Sequence, residues 1–99
     1  MAISLDPYIL ETLMPDLVGR DRRPVSFAVY LYLWSRTSGA RKSVRVSHQK
    51  IADDLAVSRS AVQAAVKHLT RQRLLRASHA SPTAVPEYLP LRPWAARGR

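Results

Sequence analysis

Between residues 58 and 71 the chain reads SRSAVQAAVKHLTR, and four of its polar side chains, Arg59, Gln63, Lys67 and Arg71, recur every fourth residue. At helical pitch, positions four apart stand one above the other on a single face. Their chemistry is that of recognition rather than bond making. A guanidinium donates paired hydrogen bonds in a fixed fork, a glutamine amide both donates and accepts, and a lysine supplies a point positive charge. Val62, Ala65, Val66 and Leu69 fall on the other side, where they form a face suited to burial.

Charge narrows what such a polar face meets. Lys and Arg number 16 against 7 Asp and Glu, a net +9. Residues 1–19 contain Asp6, Glu11 and Asp16 and no base, a local −3 that leaves +12 for residues 20–99. That density of cations attracts polyanions, with nucleic acid first and an anionic membrane surface second.

Catalytic chemistry finds little to work with. The three glycines are scattered, so there is no glycine-rich phosphate loop, and no nucleophile elbow is present. His48, His68 and His79 lack metal-ligand spacing and have no thiolate company, and they read as surface histidines. Asp53 and Asp54 are adjacent, so they project in different directions and read as solvated charges rather than a catalytic pair. The expectation is a protein that is not an enzyme and needs no cofactor or metal. Absence of cysteine rules out disulfides and favours an intracellular setting. The acidic first segment does not resemble a secretory signal, and the apolar run FAVYLYLW is too short to span a bilayer. The expected location is the cytoplasm, with the nucleoid, and no membrane partner is expected.

The elements that would position the polar face follow from caps and periodicity. With 99 residues, 46% of them hydrophobic, one small domain is expected. Asp6 and Pro7 suit the start of a helix carrying Ile9, Leu10, Leu13 and Met14, which Pro15 and Gly19 limit to a short run, either ending there or adding a second turn after the proline. Residues 24–39 form a second helix, with Pro24 near its start and Gly39 as its stop. It is apolar nearly all round. One face packs on the core, and the other needs the first helix or a second copy of the chain, with the polar tips of Tyr30, Tyr32 and Trp34 at such a boundary. VRV at 44–46 alternates like a short strand. Ser47 caps HQKIADDLA and Ser58 caps RSAVQAAVKHLTRQR, and the pairs Val46/Ile51 and Val57/Val62 are spaced as hydrophobic staples. Only Ala56 and Val57 stand between the first of these helices and the next cap, so the two must cross steeply. A hairpin follows, from Arg76–Ser78 through a turn at 80–83. Because Pro86 cannot donate to a ladder, either its paired return strand is Glu87–Leu89 or the hairpin is short and loose. Pro82, Pro86, Pro90 and Pro93 predict an extended, flexible end.

The segment SHQKIADDLAVSRSAVQAAVKHLTRQRLL, residues 47–75, resembles the helix-turn-helix of winged-helix bacterial regulators, most closely the GntR-type pattern. Residues 24–91 follow that family's layout more generally. The resemblance implies a mainly α protein with a small β-hairpin: a winged helix-turn-helix, with a three-helix core, a wing and an extra N-terminal helix. Residues 1–23 would be the N-terminal helix and linker, 24–91 the winged domain and 92–99 a basic tail. It implies double-stranded DNA as partner, a recognition helix over 58–73 in the major groove, and transcription regulation as the role. Arg59 and Gln63 would read bases, with Gln49 able to approach them, since Arg suits guanine and Gln suits adenine. Ser47, His48, Ser58, Ser60, Lys67 and Arg71 would meet the backbone. Arg76, His79, Ser81 and Thr83 would lie on or near the wing. Arg92, Arg97 and Arg99 would form either a minor-groove arm or a solubilising end. The N-terminal helix and helix 24–39 are the candidate surface for a homodimer, the alternative being that helix 24–39 packs wholly within one chain. A plasmid- or phage-type replication initiator module and a protein–protein interaction module remain the alternatives. Two positions depart from the family, which has glycine where this chain has Ala56 in the turn and Arg73 after the recognition helix. An alanine held at positive φ costs roughly 1 kcal/mol, unless the turn is reshaped.

Overall fold

The structure, a computed structural model, describes residues 3–97. It is mainly helical with one small antiparallel sheet. An N-terminal helix over residues 7–20 is followed by α1 (Pro24–Arg36), β1 (Val44–Arg45), α2 (His48–Leu55), α3 (Arg59–Arg71), β2 (Leu75–Ser78), β3 (Glu87–Pro90) and a short α4 (Pro93–Arg97). The sheet order is β1-β3-β2, with Val44 opposite Tyr88 on one side of β3 and Ala77 opposite Tyr88 on the other. Tyr88 therefore sits at the centre of the sheet, 1% exposed.

The N-terminal helix runs through Pro15 instead of stopping there. The Asp6 carboxylate accepts the Tyr8 N–H at 3.0 Å, the capping role expected of it. The chain then winds wider than an α-helix over Ile9–Leu13 and Pro15–Arg20, as in the Met14 N–H bond to the Ile9 carbonyl and the Asp21 N–H bond to the Asp16 carbonyl. Five-residue spacing accommodates a proline, whose ring would otherwise strike the carbonyl four residues back. Ile9, Leu13 and Leu17 turn inward and are buried.

The stretch Pro15–Arg20 packs against the apolar helix α1, and Ile9, Leu13 and Leu17 share its core, so its second face is satisfied within the chain. Its aromatic tips tie three other segments to it. The Tyr30 hydroxyl donates to the Leu91 carbonyl at 2.8 Å, the Tyr32 hydroxyl to Asp54 at 2.6 Å, and the Trp34 indole N–H to the Ser4 carbonyl at 2.8 Å. The Tyr32 hydrogen bond and the Lys50 ammonium, 3.2 Å away, hold the Asp54 carboxyl below its usual range. Asp54 is thus a clasp between α1 and α2, not a merely solvated charge.

Ser47 and Ser58 cap α2 and α3 as the sequence predicts, accepting the Lys50 and Ala61 N–H groups at 3.0 Å each. The turn between the two helices is left-handed without a glycine. Ala56 is left-handed at φ 58°, and the Val57 N–H closes back on the Ala52 carbonyl at 3.1 Å. Helix α3 ends at Arg71, two residues before the expected limit, and it ends in the same way. Arg73 takes φ 61° and the Leu74 N–H bonds the Leu69 carbonyl at 2.9 Å. A third stop of this type closes α1, where the left-handed residue after the cap is Ser38 at φ 54° and the Gly39 N–H bonds the Trp34 carbonyl at 3.0 Å.

The chain end corrects a second expectation. Residues 93–97 are helical, not extended. Pro93 takes the first helical position, where a missing N–H costs nothing. Trp94 stacks on Tyr8 with ring centroids 4.5 Å apart, and its indole N–H donates to Asp6 at 2.9 Å. Trp94 thus ties this short helix to the start of the N-terminal helix.

Candidate functional site

Helix α3 buries Val62, Ala65 and Leu69 and leaves Arg59, Gln63, Lys67 and Arg71 exposed along one stripe. The helix contains no acidic residue, so nothing on it neutralises the stripe. Ser60 is exposed beside it, with its hydroxyl oxygen 3.2 Å from that of Ser58. Both cap hydroxyls, Ser47 and Ser58, spend an oxygen lone pair on the helix, and that of Ser58 is also paired with Ser60.

At its N-terminal end the stripe opens into a groove of about 410 Å³ between the start of α2 and the loop joining β2 to β3. Ser47, His48, Gln49, Arg59, His79 and Thr83 all line it, so six of the residues singled out in the sequence meet there. The loop is shaped by a turn over Ser81–Ala84, with Pro82 second and the Ala84 N–H bonded to the Ser81 carbonyl at 3.1 Å. Pro86, which has no N–H to give, contributes its carbonyl to the Val46 N–H at 3.1 Å.

His48 is half-buried and stacks on Tyr88, with ring centroids 6.2 Å apart. Burial, and then the positive charge of Arg59 and of His79, push its pKa below the usual 6.5. In the unfolded chain His48 takes up a proton at a higher pH than in the folded protein. The stability tied to its neutral form is therefore complete above 6.5 and is lost as pH falls through the folded value. Thermal unfolding followed from pH 7.5 to pH 5 should show the wild type losing stability relative to His48→Gln. Parallel curves would contradict this.

Other residues are placed differently from expectation. The Gln49 amide donates to the Asp53 carboxylate at 2.9 Å, along its own helix, so reaching outward requires breaking that bond. Arg76 is exposed on β2 but lines a separate depression with Arg41, Lys42 and Glu87, apart from the α3 groove. His68 is not a surface histidine. It is 8% exposed, its Nε2 lies 3.3 Å from the Asp21 carboxylate, and its Nδ1 has no partner. It joins α3 to the linker before α1. Arg92 is close enough for its charge to act on Asp6, at the N-terminal side of the molecule. Arg99 lies outside the described residues, as does the side chain of Arg97.

Sequence reasoning passed over Arg22 and Arg23, placing them only at the end of the N-terminal helix and linker of residues 1–23. They stand beside Ala61, Ala64 and Ala65 on the far flank of α3 from the groove. The available signal was the pair of arginines immediately before a helix that begins with proline.

No helix among the described residues is long and apolar enough to cross a membrane. No protein-family model, no curated protein and no solved structure matches the chain.

Proposed function

We propose that the chain is a winged helix-turn-helix protein that binds double-stranded DNA, with α3 in the major groove and the β2–β3 hairpin as the wing, and that it serves as a small cytoplasmic transcription regulator. One observation carries this reading: the exposed, acid-free stripe Arg59, Gln63, Lys67 and Arg71 on a capped helix whose first turn faces the hairpin groove. The helix N-terminus adds a partial positive charge there. The order of helix, strand, two tightly joined helices and hairpin supports the reading, as does the +12 carried by residues 20–99.

A second copy of the chain is the proposed protein partner. Leu10, Met14 and Val18 are 44%, 39% and 40% exposed and stand four residues apart along the N-terminal helix, each one position after a buried residue and so about a quarter turn round from the buried face. Helix α1 contributes less than the sequence reading gave it, because its apolar side chains are already covered. A two-fold dimer through the outer stripe would read a two-fold symmetric site. Met14→Glu should shift the sedimenting species from dimer to monomer with little change in thermal midpoint, since the side chain faces outward. An unchanged sedimentation coefficient would exclude this surface.

Selection from a pool of random duplexes tests both proposals. A palindromic consensus is the expected result. Failure of any sequence to be enriched would count against sequence-specific reading.

A further inference from the structure

Helix α1 begins without a side-chain cap. Arg23 occupies the cap position and makes no capping hydrogen bond, and Pro24 follows it. The amides of Val25 and Ser26 come next, in the first turn, where no carbonyl one turn earlier can accept them. At this helix start is a pocket of about 210 Å³ whose wall includes Arg22, Arg23, Ser26, Ala61, Ala64 and Ala65. Ser26 is 1% exposed, and its buried hydroxyl has no hydrogen-bond partner. A buried, unpartnered hydroxyl is costly, and a helical serine ordinarily relieves that cost by bonding a carbonyl one turn back. Neither Arg22 nor Arg23 is in an ion pair among the described residues, and both are exposed. Asp21, the acid next in sequence, is directed to His68 at 3.3 Å.

One side of the pocket therefore offers two guanidinium groups, a helix N-terminus and a spare hydroxyl. The other side is three alanine methyl groups. Exposed Ala64 stands four residues after Ser60 and three before Lys67, so the pocket continues directly from the polar stripe of α3. That split matches one unit of a nucleic-acid backbone, in which an anionic phosphate is joined to a sugar with apolar C–H faces.

We infer that the start of α1, with Arg22, Arg23 and Ser26, seats one sugar–phosphate unit of the bound duplex, on the opposite flank of α3 from the wing. This rests on the DNA-binding reading above. It places a backbone contact on each side of the helix that reads the bases, which fixes the angle at which that helix enters the groove.

Salt titrations of duplex binding test the seat. The double variant Arg22→Gln/Arg23→Gln should bind every sequence more weakly, and its log–log salt slope should be shallower than the wild type's by about 1, as expected when one fewer phosphate is neutralised. Ser26→Ala keeps both cations, so its slope should not change. Its affinity should fall roughly 2- to 12-fold for want of the hydroxyl's hydrogen bond. Its thermal midpoint should hold or rise, because the orphaned hydroxyl is gone. A merely structural serine would not give weaker binding with undiminished stability. If the wild type binds duplex and the double variant has the same slope and affinity, the seat is wrong and the DNA reading stands. If the wild type binds no duplex, both fall.

Discussion

Replacing both Ala56 and Arg73 by glycine is expected to stabilise the protein by about 2 kcal/mol, roughly 1 kcal/mol at each site. Both residues are left-handed, at φ 58° and 61°. In that region a Cβ crowds the following carbonyl, and glycine removes the clash. Part of the gain is offset because glycine leaves the unfolded chain freer, which is why the figure stays near 1 per site. For a domain of this size each kcal/mol moves the midpoint by about 4–8 °C, so the double variant should melt about 8–16 °C higher. Ala64→Gly is the control. It lies in the regular part of α3, where the same change should cost about 1 kcal/mol. Opposite signs for chemically similar substitutions are a direct readout of backbone conformation. A lower midpoint for Ala56→Gly would mean that the turn does not pass through the left-handed region.

Arg59→Ala should weaken binding to the preferred duplex by roughly 1–3 kcal/mol, about 5- to 150-fold, and relax base preference at one position. Arg59 is the first residue of α3, is exposed, and faces the groove shared with His48 and His79. A guanidinium at that place can reach a guanine edge with two parallel hydrogen bonds. Loss confined to the preferred sequence is the expected pattern. Equal loss on all sequences would make it a phosphate contact, and the reading of bases would then fall to Gln63 and Gln49. Because Gln49 is bonded to Asp53, Gln63→Ala should alter specificity more than Gln49→Ala does.

Much of the fold was legible because it is written in local chemistry. The caps Ser47 and Ser58, the strand at Val44 and the hairpin with its return strand at Glu87 rest on neighbouring residues, and the structure places them as read. The departures arise where a distant partner decides. Pro93 looks like a breaker until Trp94 finds Tyr8, 86 positions away in sequence, and the turn it starts becomes a helix. Pro15 looks like a stop until burial of Leu17 against α1 makes it worth winding the helix wide. His68 reads as a surface histidine in the sequence, and both its burial and its approach to Asp21 depend on how the linker before α1 lies against α3. At the site, the stripe on α3 was legible from spacing alone, while the meeting of His48 and His79 with Arg59 depends on how the hairpin folds back. Arg76 lies on β2, in the hairpin where it was expected, and it lines the other depression rather than the groove at α3.

The central claim is that α3 presents a cationic face to duplex DNA, and its salt dependence is the most direct measurement of that claim. If four to six phosphates are neutralised by the stripe and its flanks, the logarithm of the association constant should fall with the logarithm of salt concentration with a slope of about −4 to −5. A slope in that range, with binding readily measured at about 50 mM salt, is the predicted result. No measurable duplex affinity at that salt concentration would contradict the claim, and the basic face would then have to serve an acidic protein partner instead.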